Sequence, residues 1–343
     1  MINHVYQLIQ PKVISVKYED VSLKDRVIIR PNYMAICHAD QRYYQGQRDV
    51  AVLNKKLPMA LIHECCGTVL YDPTNTYNAG QQVVMIPNIP TQDDPIIAEN
   101  YAKGSYFLSS GHDGFMRELV DMDVSRVVDC RDVDSPIAAI TEFISVGVHA
   151  VARFDMVAHE RRNRIGVWGD GSLAYVVSSI LKERFPKSEI IVVGRNPRKL
   201  STFSFVSETY LSTSIPSNLE IDHAFECCGG EGSYYAIEDI IRYINPQGAL
   251  VLMGVSENRV AINTRMVLEK GLQLLGCSRS GRADFIKATE LLRKKNFQQK
   301  MKMIIYEDDP VRCIGDIHRV FTNDVATPVS YTHLRAHETA ANL

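Results

Sequence analysis

The sequence predicts an α/β chain of two domains, one mostly β and partly open, the other a doubly wound parallel sheet. Three features predict it. Residues 1 to about 145 run as short β-rich segments broken by Asn, Gly and Pro; from about 162 the rhythm changes to strand, helix, strand; and a glycine-rich turn stands at the first strand-to-helix junction of that second half. With 343 residues, 45% of them apolar, the chain can bury a substantial core and is long enough for two domains of ordinary size.

In the first half, DRVIIRPN, GTVLYD, QQVVMIPN and FMRELVD set β-forming residues between turn formers, which predicts a mostly antiparallel sheet. NRIGVWGDG opens the second half as a strand, SLAYVVSSILKERF follows as a helix, and SEIIVVGRN is the next strand. HAFECCGG, the amphipathic stretch YYAIEDIIRYI, GALVLMGV and LQLLGCS continue the alternation, so parallel strands covered by helices are expected. A helix around ADFIKATELLRKK and closing strands near CIGDIHRVF are expected to return to the first domain. The expected boundaries are 1–145, 146–280 for the nucleotide-binding domain and 281–327 for the return. Residues 328–343, PVSYTHLRAHETAANL, keep neither period and read as a frayed or non-native tail that carries no site.

Composition excludes several function classes. Lys plus Arg number 38 against 40 acids, so no electrostatic footprint for nucleic acid is present. No run reaches the roughly 18 apolar residues of a membrane span, and MINHVYQLIQPKV lacks the continuous apolar segment of a signal peptide, which predicts a cytoplasmic protein. The eight cysteines are scattered, with two adjacent pairs, and are expected to remain thiols in a reducing compartment.

The segment IGVWGDGSLAYV places Gly169, Gly171 and Ala174 in a G-x-G-x-x-A pattern after an apolar strand and at the head of a helix, with Ser172 and Leu173 in its first turn. Gly169 permits the tight turn, Gly171 leaves room for a pyrophosphate, and Ala174 lets helix pack closely on strand. The end of the following strand distinguishes the two dinucleotides. An NAD site offers a carboxylate there, whereas this chain has Gly194 and Arg195 followed by Arg198 and Lys199, so NADP(H) is expected, with a solvated basic turn as the alternative. Cys227 and Cys228 in FECCGG end a further strand and are expected to pack at the cofactor rim.

LIHECCG sets His63 and Glu64 side by side. Taken alone, a histidine in an apolar run is commonly a hydrogen-bonded structural group. YMAICHADQ, however, holds Cys37 and Asp40 three apart after an apolar strand, and TEFISVGVHA puts Glu142 at the start of a helix. Together these residues resemble the zinc-dependent medium-chain dehydrogenases, and more closely their polyol dehydrogenase branch, over approximately residues 1–327. The resemblance implies a GroES-like catalytic domain and a Rossmann-type coenzyme domain. It also implies that Cys37 and His63 ligate zinc, that Glu64 and Glu142 complete or exchange in the ligand set, and that Asp40 backs the imidazole. Zinc accepts such donors, and a carboxylate on the far nitrogen of a ligating histidine fixes its tautomer. Cys65 and Cys66 are then packing residues. Relatives with a second, structural zinc carry four cysteines in a lobe, and residues 88–113 here have none, so one zinc per chain is expected. Ala39 stands where relatives have a hydroxyl used in proton relay, so the proton is expected to come either through a metal-bound water held by Glu64 or Glu142 or through a relay involving His38 or Tyr43.

PNYMAICHADQRYYQG, GHDGFMRELV and EKGLQLLGCSRSGRADF further resemble the D-ribulose-5-phosphate reductases of Gram-positive bacteria. That likeness implies NADPH-dependent reduction of D-ribulose 5-phosphate to D-ribitol 5-phosphate, with the product passing to a ribitol-5-phosphate cytidylyltransferase for teichoic acid or capsule. It also implies a homodimer or tetramer. His38, Arg42, Tyr43, Tyr44, Arg48, Arg279 and Arg282 are the candidate partners of the substrate phosphate. An NADP-linked dehydrogenase of another polyol, and a non-catalytic nucleotide-binding protein, are the alternatives.

Overall fold

A computed structural model describes residues 1–326 and the backbone of Tyr331–Arg335. The chain forms two compact units, Met1–Ser145 with the chain from Ser280 onward, and Val146–Arg279.

The main sheet of the first unit runs in the order Val127–Asp129, Gln82–Met85, Glu64–Tyr71, Val27–Ile36, Tyr331–Arg335, Ile305–Glu307, with Val120–Met122 also paired to Val27–Ile36. Its pairings are antiparallel except the last, which is parallel. Val27, Ile29 and Ile36 turn into a core with Val69, Phe115 and Phe321. Truncating Ile29 or Ile36 to alanine is expected to cost roughly 2–5 kcal/mol, because the neighbours fill the cavity only in part. Glu64–Tyr71 and Val27–Ile36 approach so closely that a Cβ on Gly67 would lie 2.6 Å from the Arg30 carbonyl oxygen, so only glycine fits there.

Two sequence expectations fail in this unit. The closing strands expected near CIGDIHRVF are instead the helix Ile314–Ala326, whose buried Ile317, Val320 and Phe321 follow the helical period of 3.6 rather than alternation. The tail expected to be without structure contains the strand Tyr331–Arg335, which pairs with Val27–Ile36 and Ile305–Glu307. Ladder hydrogen bonds use backbone groups, so a strand needs no marked side-chain pattern when two open edges flank it. The other tail residues, 328–330 and 336–343, lie outside the described residues.

In the second unit all pairings are parallel, in the order Glu208–Leu211, Glu189–Gly194, Arg164–Trp168, His223–Glu226, Ala249–Leu252, Gln273–Gly276. This is a Rossmann-type sheet. Chain order reverses between Arg164–Trp168 and His223–Glu226, the switch point at which ligands bind beyond the carboxyl ends of such strands. Helix Ser172–Arg184 follows the first of these strands, and helix Gly232–Tyr243 buries Ala236, Ile237, Ile240 and Ile241 against the sheet. Among the described residues, no helix is long and apolar enough to cross a membrane.

His223, fully buried in this sheet, is expected to make the unit acid-sensitive. Its Nδ1 accepts from the Ala249 N–H at 3.0 Å and its Nε2 faces the His159 carbonyl at 3.3 Å, an arrangement that suits the neutral ring. Burial first, and then the neighbouring His159, lower its pKa from the ordinary 6.5 to about 4. A histidine with a depressed folded pKa contributes stability fully above the unfolded value and loses it as pH falls. The melting temperature is therefore expected to drop between about pH 6.5 and 4, as read by thermal unfolding across that range. A His223→Gln protein is expected to show a shallower drop.

Candidate active site

The strand Val27–Ile36 delivers Cys37 to the N-cap of helix His38–Tyr44. Cys37 Sγ accepts from the Asp40 N–H at 3.4 Å, and Asp40 Oδ2 accepts from the Cys37 N–H at 3.2 Å and from its thiol at 3.0 Å. This reciprocal cap is why cysteine and aspartate stand three apart. The other Asp40 oxygen accepts from Ile62 N–H at 2.9 Å and Ser109 Oγ at 3.0 Å, and lies 4.0 Å from His63 Nδ1.

Ile62 is a strained residue of the site. Its φ is +69°, a left-handed conformation that costs a β-branched residue roughly 1–3 kcal/mol. Bonds on both sides hold it there, Asp40 accepting from its N–H and its carbonyl accepting from Phe115 N–H at 2.7 Å. The kink turns His63 out of the strand direction just before Glu64 begins the next strand.

His63 Nε2 comes to 3.6 Å from Cys37 Sγ, and its ring meets the Phe107 ring at 5.1 Å, edge-on. Glu64 is 1% exposed, and Glu142, in the first turn of helix Thr141–Val157, is 6% exposed. Their donor atoms form two overlapping groups, Cys37 with Asp40 and His63, and His63 with Glu64 and Glu142, each within 4.8 Å. Burial, and then the carboxylates of Asp40 and Glu64, push the Cys37 thiol well above its ordinary value. Acidic groups crowded in a buried place are mutually unfavourable until a cation joins them, and a divalent ion at these atoms would favour the thiolate. Thiolate, imidazole and carboxylate are donors that suit zinc.

The expected phosphate partners part company in the structure. Tyr44 bonds through its hydroxyl to His318 Nδ1 at 2.6 Å and stacks on Phe321, which makes it a packing residue. Arg282 Nη1 donates to the Ser125 and Val127 carbonyls at 2.6 and 2.7 Å, which ties its helix to the strand Val127–Asp129. Arg48 instead lies over the Tyr43 ring, with its guanidinium carbon 4.8 Å from the ring centre. His38 has its pKa lowered by burial and then by Arg42 and Arg48.

In the second unit, Gly169 has φ +137° and a Cβ there would meet the Cys227 carbonyl oxygen at 3.0 Å. Gly171 N-caps helix Ser172–Arg184, where Ser172 and Leu173 form the first turn and Ala174 is fully buried; a Cβ on Gly171 would meet no protein atom within 4 Å. The helix head is thus open to a ligand. The expectation that no acid stands at the end of Glu189–Gly194 needs correction. Asp170, from within the glycine-rich turn, reaches across and accepts from the Arg195 and Asn196 N–H groups, each at 2.7 Å, and a Cβ on Gly194 would lie 2.6 Å from its Cβ. Asp170, Arg195, Arg198 and Lys199 line one pocket, the three cations exposed on its surface.

Glu226 is the functional-looking residue that sequence reasoning missed. It is 1% exposed at the end of His223–Glu226, and its Oε1 accepts from Cys228 N–H at 2.8 Å, Gly229 N–H at 3.2 Å and Ser233 Oγ at 3.0 Å. Its Oε2 accepts from Gly254 N–H at 2.9 Å. A carboxylate closing a buried strand, with Gly229 and Gly230 shortly after it, was the available signal. Cys227 is buried, which pushes its thiol well up, whereas Cys228 is exposed beside it.

Residues 23–132 match the alcohol dehydrogenase GroES-like domain. The chain is 56% identical over 330 residues to the ribulose-5-phosphate reductase of Streptococcus pneumoniae, covering 95% of each chain. It belongs to the ribulose-5-phosphate reductase family. Another member, ribulose-5-phosphate reductase 1 of Staphylococcus aureus, is 46% identical over 338 residues, 98% of this chain and 99% of its own. The crystal structure of S. aureus TarJ in complex with NADPH superposes with a TM-score of 0.88 at 40% identity, covering 98% of this chain and 100% of that one. The family thus joins a GroES-like unit to a Rossmann-type unit, as the two sheets of this chain do.

Proposed function

We propose that this protein reduces D-ribulose 5-phosphate to D-ribitol 5-phosphate with NADPH, at a zinc ion held by Cys37 and His63 with Glu64 and Glu142 completing or exchanging in the ligand set. The observation that carries the reading is the meeting of thiol, imidazole and two buried carboxylates, from three separate stretches of chain, around His63. The likeness to reductases named for this substrate, and to a structure holding NADPH, supports the substrate and the coenzyme. Ketose, NADPH and one proton give polyol and NADP⁺.

Zinc bound there supplies Lewis acidity toward the ketone oxygen, and NADPH supplies the hydride. The chain's own residues do the rest. Asp40 holds the Cys37 cap and stands behind His63, so both donors are set before an ion arrives. Ile62, locked by Asp40 and Phe115, fixes the direction of the imidazole. Gly171 and the head of its helix leave the approach for the pyrophosphate. Arg195 and Lys199 offer charge-assisted bonds to a 2′-phosphate, while Asp170 orders their loop. His38, first in the helix after Cys37, and Tyr43 are the groups through which a proton would reach the product oxygen.

On this reading the protein works in the cytoplasm, with all eight cysteines as free thiols, as a homodimer or tetramer, and its product feeds a ribitol-5-phosphate cytidylyltransferase. The test is a steady-state assay with NADPH and NADH against ribulose 5-phosphate, ribulose and other pentuloses, with zinc content recorded on the same sample. Preference for ribulose or another free polyol would transfer the activity to the wider dehydrogenase class, and absence of any reduction would overturn it. Arg195→Ala is expected to raise the KM for NADPH by about 10-fold or more while barely moving that for NADH, the loss of one charge-assisted hydrogen bond. Equal effects on both coenzymes would remove Arg195 from the 2′-phosphate site.

A further inference from the structure

We infer that Ser109 is a positioning residue for the zinc site, holding the Asp40 carboxylate in the pose from which it backs His63. The inference rests on the zinc reading above and names a residue outside the ligand set that governs metal affinity. Asp40 is 1% exposed and Ser109 4%, so the carboxylate depends on protein donors for its hydrogen bonds. Two of those donors, the Cys37 N–H and thiol, bind Oδ2 and belong to the segment that carries Asp40 itself. Oδ1, the oxygen 4.0 Å from His63 Nδ1, is instead held by Ile62 N–H at 2.9 Å and by Ser109 Oγ at 3.0 Å. Ile62 adjoins His63, whereas Ser109 comes from a third stretch of chain. Both are non-glycine residues in the left-handed region, with φ +69° at Ile62 and +62° at Ser109. Such torsions persist only where the surroundings over-determine them, and here both serve one carboxylate oxygen.

The stretch that delivers Ser109 is itself tied down on both sides. Strand Tyr106–Phe107 pairs with Asn88–Ile89, Leu108 N–H donates to the Pro87 carbonyl at 3.0 Å, and Ser109 N–H donates to the His112 carbonyl at 2.9 Å. Leu108 is buried in the core of the unit, and Lys56 Nζ donates to Ser110 Oγ at 2.8 Å. The hydroxyl therefore arrives as a preset donor that needs little further ordering when the site fills. Phe107, two residues earlier, meets the His63 ring edge-on at 5.1 Å, so one stretch of chain touches the imidazole directly and, through Asp40, from behind. A hydrogen bond to a buried carboxylate is charge-assisted and is strengthened by the low dielectric around it. Without the hydroxyl, Asp40 keeps one backbone donor on Oδ1 and can turn away from His63 Nδ1, which loosens the imidazole before an ion arrives.

The test measures zinc affinity by competition with a graded chelator, beside the melting temperature in saturating zinc, for the parent, Ser109→Ala, Ser109→Gly, Asp40→Ala and the double variant Ser109→Ala with Asp40→Ala. Alanine and glycine both remove the hydroxyl, but glycine adopts a left-handed torsion freely and alanine does not. Ser109→Gly is therefore expected to melt above Ser109→Ala, while both weaken zinc binding to the same degree, about 10-fold, the lower end for an outer partner of a ligating histidine. Because Ser109 acts through Asp40, its removal is expected to add nothing to the loss already caused by Asp40→Ala. Parental zinc affinity in both single variants, an affinity that glycine restores along with the melting temperature, or a full further loss in the double variant overturns the role of Ser109 while leaving the zinc reading intact. A parent that binds no zinc overturns the zinc reading, and the role of Ser109 with it.

Discussion

A His63→Ala protein is expected to fold, to hold no zinc and to reduce ribulose 5-phosphate about 10³-fold or more slowly than the parent, since Lewis-acid assistance contributes several kcal/mol. His63 is common to both donor groups, so its loss separates Cys37 and Asp40 from Glu64 and Glu142. The remaining thiol, already pushed up by burial and by carboxylates, is then a poor ligand on its own. Asp40→Ala makes the informative contrast. It removes the cap on Cys37 and the group behind the imidazole but no proposed ligand, and is expected to weaken zinc binding about 10- to 100-fold. Metal content after competition with a graded chelator, read beside kcat/KM, separates the two. NADPH binding followed by fluorescence is expected to persist in both, because the glycine-rich turn belongs to the other unit. Full turnover by metal-free His63→Ala would end the zinc mechanism.

Glu226→Gln is expected to destabilise the coenzyme unit by roughly 2–4 kcal/mol and to raise the KM for NADPH, although the change is nearly isosteric. The reason is that all four partners are donors, three on Oε1 and one on Oε2. An amide offers one acceptor and one donor group. In either orientation its NH₂ faces an N–H or O–H, and the packing leaves no room to turn aside, since a Cβ on Gly254 would already lie 2.4 Å from Glu226 Oε1 and from Gly229 N. The loops tied by this carboxylate follow His223–Glu226 and Ala249–Leu252, beside the switch point where a dinucleotide lies. Denaturant unfolding with and without NADPH checks the claim. An unchanged midpoint in Glu226→Gln would show that the loops hold without the carboxylate.

Much of this is legible in the sequence alone. Gly169, Gly171 and Ala174 are close in sequence and obey backbone rules that act over a few residues: a left-handed turn, an open approach, a small residue at a helix–strand contact. The strands and helices of the second half followed from period and turn residues for the same reason. The helix Ile314–Ala326 was misread because its apolar residues at 314, 317, 320 and 321 are few enough to suit a short strand as well, and only their burial against the helix of Cys37 decides the case. Gln41 bonds to the Phe321 carbonyl at 2.8 Å and to Asp324 at 2.7 Å, contacts that no local pattern could announce.

By itself the sequence determined which residue types were on offer: a coenzyme turn, a cysteine capped by its own aspartate, a histidine beside a glutamate, and scattered cations. Only the tertiary structure decided which of them meet. It brought Cys37 within 3.6 Å of His63, swung Asp170 under the Arg195 loop, turned Arg282 into a strut, laid Arg48 over Tyr43, and gave Glu226 four donors. Local propensity acts through torsions and neighbours within a turn, whereas charge, metal affinity and hydrogen bonding depend on distance in space. That distance is set when the two cores close.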